Sequence, residues 1–131
     1  MDLPLILGTL ERHLPNWQAF YLFGSHAHGT DRPDSDLDLA VLCDGPPLDP
    51  VRMWEIAQIV AEVARCDVDL IDLKSASTVL QWQIVVHGER LKARQPLTGD
   101  FEAKVVQQKF ELDALRARQL KDIRENGSVY G

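Results

Sequence analysis

Residues 23–42 read FGSHAHGTDRPDSDLDLAVL. The stretch joins a Gly-Ser pair, a polar loop and two aspartates set into an aliphatic run. Leu37, Leu39, Val41 and Leu42 belong in a core, whereas carboxylates resist burial. On a strand, side chains alternate, so Asp36 and Asp38 share one face while Leu37 and Leu39 pack behind them. Residues two apart along a strand advance about 6.5–7 Å, near enough for their carboxylates to converge on shared cations. Left bare, two such acids repel and one holds its proton. A divalent cation removes that conflict, and Mg²⁺ takes hard oxygen ligands while keeping positions open for substrate phosphates.

Gly24-Ser25 falls where the preceding apolar run "QAFYLF" ends. Glycine lets backbone N–H groups approach an anion, and the serine hydroxyl adds a donor. A helical turn starting there would favour phosphate further. A third acid is expected on "DVDLIDL", residues 67–73. Asp67 and Asp69 share a face there and Asp72 points the other way. Asp69 between Val68 and Leu70 repeats the setting of Asp38, so Asp69 is the candidate and Asp67 the reserve; Asp72 is expected to be structural.

The flanking elements follow from periodicity and punctuation. "MDLPLILGTLERHLP" reads as an amphipathic helix stopped by Pro15. "QAFYLF" and residues 36–43 are strands, and the loop 24–35 between them is held by Gly29 and Pro33. Asp49 caps a helix that has Pro50 first, with Val51, Trp54, Ile59 and Val63 as the expected inward stripe. Residues 67–73 form a third strand. "SASTVLQWQIVVHG" is a helix capped by Ser75 or Ser77 and ended by Gly88, and "RLKA" is a short edge strand. A long helix runs from about Gly99 to Asn126, with Asp100–Lys104 and Lys121–Glu125 as i,i+4 pairs, before a loose tail "GSVYG". The order gives an α/β or α+β domain: a small mixed β-sheet flanked by helices, plus the long C-terminal helix.

At 131 residues, the chain is about one domain long and large enough to bury its own core. Its net charge of −6 argues against direct nucleic-acid binding, which needs clustered Lys and Arg. No apolar run reaches the roughly 18 residues of a membrane span. The acidic start carries no export signal, so a cytoplasmic location is expected. Cys43 and Cys66 lack metal-type spacing and read as buried free thiols. His26 and His28 lack the further ligands of a zinc site and read as polar loop residues near the phosphates. Trp17, Trp54 and Trp82 read as core or interface, and Ser25 lacks the G-x-S-x-G context of a nucleophile. On the C-terminal helix, Phe101, Val105, Phe110, Leu112, Leu115, Leu120 and Ile123 exceed what one packed stripe needs, which leaves apolar surface for a partner.

Gly24-Ser25, ten intervening residues and Asp36-Leu37-Asp38 resemble the signature of the DNA polymerase β-type nucleotidyltransferase superfamily. The chain's length and the "VDLIDL" after one helix resemble its minimal nucleotidyltransferase (MNT) branch, which includes antitoxins paired with HEPN-domain toxins. Relatives often carry Arg where this chain has His26 and His28. The resemblance implies a polymerase β-like nucleotidyltransferase fold, with residues 1–97 as the MNT domain and 98–131 as a helix and tail of the same single domain. It implies the antitoxin of a type VII-like pair, moving AMP from ATP to a tyrosine hydroxyl of a HEPN ribonuclease toxin within a hetero-oligomer. Asp36, Asp38 and Asp69 would hold two Mg²⁺ ions, with Asp69 on the nucleophile's side, and Gly24 and Ser25 would cradle the β- and γ-phosphates. The Arg…His spacing of HEPN ribonucleases is missing from this chain, so it would be the neutraliser. Two alternatives stand beside this: a non-catalytic antitoxin that covers the toxin, and a small-molecule nucleotidyltransferase acting on an aminoglycoside-like hydroxyl. The latter usually needs an additional drug-binding domain.

Overall fold

The computed structural model describes residues 2–27, 29 and 36–126. His28, Pro33 and the tail 127–131 lie outside them, as does most of the 24–35 loop. Helix α1 (Leu3–His13) starts at Asp2, whose carboxylate accepts the Leu5 N–H at 3.2 Å. It leads into β1 (Trp17–Phe23), a 3₁₀ turn at Gly24–His26, and β2 (Leu37–Cys43). Helix α2 (Pro50–Ala64) follows, with Asp49 accepting the Arg52 N–H and Pro50 in the first turn. Its last carbonyls are closed by Arg65 in the left-handed conformation, φ 60°. Strand β3 (Val68–Asp72), a second 3₁₀ turn (Leu73–Ser75) and α3 (Thr78–Trp82) come next. Ser77 caps α3, which continues into a π-helical turn over Gln83–His87 before Gly88. Strand β4 (Glu89–Ala93) and α4 (Leu97–Asn126) complete the described chain.

The sheet order is β3-β2-β1-β4, with β1 antiparallel to both β2 and β4 and β2 parallel to β3. It is therefore mixed, as expected, with β3 and β4 at its edges. The two faces bury different cores. On one, Phe20, Leu22, Leu37, Leu39 and Val41 meet Ile6 and Leu10 of α1 and Met53, Ile56 and Val60 of α2. On the other, Ala19, Tyr21, Ala40 and Leu42 meet Leu73 and Ile84, with Phe101 of α4 against them.

The inward face of α2 differs from the sequence expectation. Met53, Ile56, Ala57 and Val60 are buried, whereas Val51 and Trp54 are 64% and 65% exposed. Ile59 is half-buried, and Val63 packs at the core margin. Both sets have helical spacing, and only the docking of α2 on the sheet selects i, i+3, i+4, i+7 from Met53. Cys43 is buried as expected, but Cys66 is only half-buried.

Helix α4 is fixed at its first turns and free beyond them. Thr98 is fully buried, its hydroxyl donating to the Gln18 and Arg94 carbonyls at 2.9 and 2.8 Å. Glu102 Oε1 accepts from Tyr21 Oη at 2.9 Å and from Arg90 Nη1 at 2.8 Å. Val105 is buried, and Lys109 Nζ lies 4.7 Å from the Trp82 ring centre. Past Leu112 the helix is exposed as far as its burial is described, with Leu115, Leu120 and Ile123 open to solvent, as is Phe110 before it. Lys121–Glu125 pair at 3.9 Å and Lys109–Asp113 at 2.6 Å; among the described residues, Asp100 and Lys104 form no ion pair. No helix of the described residues is long and apolar enough to cross a membrane.

Candidate active site

The site is assembled where three consecutive chain crossings of the sheet come together. Strand β1 ends with Phe23 opposite Asp38, and the chain turns at Gly24 into the 3₁₀ turn. Gly24 has φ +71°, the left-handed region open to glycine. A Cβ there would lie 3.0 Å from Asp38 Cγ and closer still to the carboxylate oxygen. The turn that carries Ser25 and His26 is therefore pressed directly onto the Asp38 carboxylate. That contact makes a glycine obligatory on two counts, backbone angle and space.

Asp38 and Asp69 are register partners across the parallel β2–β3 ladder. Paired residues in a ladder project to the same face, so the two carboxylates leave the sheet side by side. That face is the one carrying Ala40 and Leu42, toward α3 and α4. Asp36 precedes β2 by one residue and is exposed, as is Asp69; Asp38 is half-buried. Burial holds the Asp38 carboxyl above the ordinary carboxylate range, the charges of Asp69 and Asp36 raise it further, and His26 opposes them. Asp69 is the largest of these charges.

The other two acids of this segment, Asp72 in β3 and Asp67 just before it, make contacts within the fold. Asp72 is structural: its carboxylate accepts the Leu48 N–H at 2.9 Å, the Ser75 hydroxyl at 2.9 Å and the Lys74 N–H at 3.2 Å. Asp67 contributes its backbone carbonyl to the Leu37 N–H at 2.8 Å, tying the start of β2 to the start of β3. His26 lies two residues past Gly24, near enough to Asp38 for its charge to oppose the rise in that carboxyl.

Does this donor set suit magnesium? Its side chains are hard oxygens carrying up to three negative charges, and the elevated Asp38 carboxyl shows that they act on one another. Such a set is relieved by a small divalent cation and offers nothing to a soft one. Among the described residues no three acidic, histidine or cysteine side chains are drawn close enough to enclose an ion; repulsion between bare carboxylates favours that spread. The chemistry of the donors fits.

A cleft of about 430 Å³ lies between α2 and β3, lined by Met53, Trp54 and Ala57 of α2 and by Val68, Asp69, Leu70 and Asp72 of β3; Asp36 and Asp38 are not part of its lining.

Comparison with known proteins identifies the family and fold. The family model described as "Polymerase beta, Nucleotidyltransferase" matches residues 6–97. The chain is 40% identical over 121 residues to the protein adenylyltransferase MntA of Shewanella oneidensis, covering 92% of this chain and 86% of that protein. It superposes with a TM-score of 0.84 and 38% identity on a chain from a toxin–antitoxin crystal structure with AMP-PNP, covering 95% of this chain and 99% of that one. A second solved structure holds a tri-AMPylated Shewanella oneidensis HEPN toxin in complex with MNT antitoxin. There the TM-score is 0.75 at 36% identity, over 92% of this chain and 94% of that one.

Proposed function

This chain belongs to the polymerase β-type nucleotidyltransferase family, and from that premise we propose that it is an antitoxin enzyme of a type VII-like pair. It transfers AMP from ATP to a tyrosine hydroxyl of a HEPN ribonuclease toxin and thereby silences the toxin. The observation that carries the reading is the register of Asp38 with Asp69 beside the Gly24 turn, in a chain 40% identical to a protein adenylyltransferase.

Each residue's part follows from its place. Gly24 admits the Asp38 carboxylate behind the turn, and the Ser25 hydroxyl with the turn's N–H groups cradles the β- and γ-phosphates. Asp36, Asp38 and Asp69 would hold two magnesium ions, which supply charge neutralisation for the leaving pyrophosphate and lower the acceptor hydroxyl's pKa. Asp69 accepts the hydroxyl proton as the tyrosine oxygen bonds to the α-phosphorus and the bond to the β-phosphate oxygen breaks. Catalysis is otherwise positioning and fixed electrostatics. The attached AMP adds negative charge and bulk where RNA phosphate has to bind, which blocks the toxin.

Residues 1–97 act as the catalytic module, with 98–131 as a helix and tail of the same domain; the anchoring of Thr98, Glu102 and Val105 supports that division. The exposed apolar residues of distal α4 supply contact area for a hetero-oligomer with the toxin. ATP as substrate suits a cytoplasmic location. The test is to incubate the purified toxin with α-³²P-ATP, Mg²⁺ and this protein, and to repeat with Asp36→Asn and Asp38→Asn. Label on a toxin tyrosine, lost with both variants, is expected. Label that persists with both overturns the catalytic assignment, and a silenced toxin without label makes this chain a covering antitoxin instead.

A further inference from the structure

A cavity of about 400 Å³ lies where four segments meet: Pro47 of the β2–α2 loop, Lys74 just after β3, Gln81 of α3, and Phe101, Lys104 and Gln108 of α4. The three α4 residues follow i, i+3, i+7 spacing and so share one helix face. The cavity is remote from the acids. Asp38 and Asp69 stand near the starts of β2 and β3, whereas Pro47 and Lys74 lie beyond the ends of those strands. Asp38 to Cys43 alone spans about 17 Å of β2.

The charge of this cavity runs against that of the chain. The sequence holds 20 acidic and 14 basic residues, yet the lining carries two lysines and no carboxylate. The acids nearest in the chain are turned to other partners: Asp72 to Leu48, Ser75 and the Lys74 N–H, and Glu102 to Tyr21 and Arg90. Two polar liners are already held in place. Lys74 Nζ donates to the Gly45 carbonyl at 2.8 Å, and Nε2 of buried Gln81 to the Leu73 carbonyl at 2.9 Å. Lys104 forms no ion pair among the described residues, which leaves its charge for a ligand. Phe101 is half-buried against the sheet core and gives the cavity an aromatic wall.

Those features select a ligand. Two ammonium groups match a phosphate dianion, an aromatic wall takes a planar ring, and side-chain amides carry both donors and acceptors for the edge of a base. The volume falls within the range of small-molecule sites. We propose that this cavity is a second ligand site for a nucleoside monophosphate, its phosphate held by Lys74 and Lys104 and its base lying on Phe101. The test is equilibrium dialysis of radiolabelled AMP against the full chain in EDTA. AMP has no pyrophosphate to lose, and without a cation the bare carboxylates of the acid site repel its phosphate. Saturable binding is expected, weakened about tenfold or more by Lys104→Gln, the scale of one charge-assisted contact. Lys104 is exposed, so that variant keeps its fold. No saturable binding, or wild-type affinity in Lys104→Gln, overturns the site, and ribose 5-phosphate binding as tightly as AMP overturns the nucleotide class. Photolabelling with 2-azido-AMP locates the ligand: label on peptides spanning 74–81 or 101–108 supports the proposal, and label confined to 24–38 overturns it. Failure of AMP transfer to the toxin would defeat the enzymatic reading alone, because these measurements involve no transfer.

Discussion

Asp38 of β2 and Asp69 of β3 stand as direct partners in a parallel ladder, so two carboxylates distant in the chain emerge from the sheet together. A fold selected only for stability would separate them. Burial, then the charges of Asp69 and Asp36, raises the Asp38 carboxyl, a cost that a bound cation reverses.

Replacing Asp38 by Asn therefore has opposite effects on activity and stability. AMP transfer falls by at least about 10²-fold, the usual scale for losing a fixed electrostatic contact to the reacting centre. The thermal midpoint in EDTA buffer holds or rises, because a repulsive charge is gone. A variant that loses activity together with a sharp drop in midpoint would mean that Asp38 serves the fold.

Gly24→Ala tests the seating of the phosphate turn on Asp38. The added methyl meets the carboxylate, and φ +71° strains any L side chain by about 1 kcal/mol. Transfer should drop by about tenfold or more, with weaker binding of a non-hydrolysable ATP analogue measured by calorimetry. Wild-type affinity and rate in this variant would remove the turn from the site.

Gly88→Ala tests packing remote from the chemistry. A Cβ there would stand 2.5 Å from the Ile84 carbonyl oxygen and 2.9 Å from that of Leu22, and both are backbone atoms. Relief requires moving β1 or the π-helical turn, so destabilisation of about 1–3 kcal/mol is expected in urea unfolding. A midpoint equal to wild type contradicts this close approach.

Tyr21 ties the sheet to α4 and sets an alkaline limit. Burial first, then the Glu102 charge and hydrogen bond, push its hydroxyl well above the ordinary tyrosine value of 10.0. The sign follows from linkage: a folded pKa above the unfolded one gives stability that is complete below about pH 10 and is lost as pH rises beyond it. Tyr21→Phe should cost about 1 kcal/mol at pH 7 and flatten the fall in stability above pH 10. Denaturant midpoints for both proteins across pH 8–11 decide it.

The two thiols should react unequally. Burial, then Asp72, push the Cys43 thiol up to about 11, so at pH 8 almost none is thiolate, the reactive form. Cys66 is half-buried. One equivalent of iodoacetamide should add readily to the native protein and a second only after unfolding, as read by intact mass. Rapid double labelling of the native state would show that Cys43 is reached without unfolding.

Local pattern alone determined much of this protein. Alternation placed Asp38 on β2, with Asp36 just ahead of it, and Asp69 on β3; proline and aspartate marked the start of α2, and Gly24-Ser25 marked the end of β1. These are short-range properties, set by strand period, capping and glycine's freedom at positive φ. Tertiary structure decided what depends on docking between distant segments. It chose Met53, Ile56 and Val60 over Val51 and Trp54, because two apolar stripes on one helix are equivalent until a sheet is laid against one. It also set the β2–β3 register that makes Asp69 the neighbour of Asp38, brought His26 toward that carboxylate, and opened the cleft between α2 and β3. Strand period fixes which face a residue takes but says nothing of which strand lies beside it or in what alignment, and that information resides in the packed core.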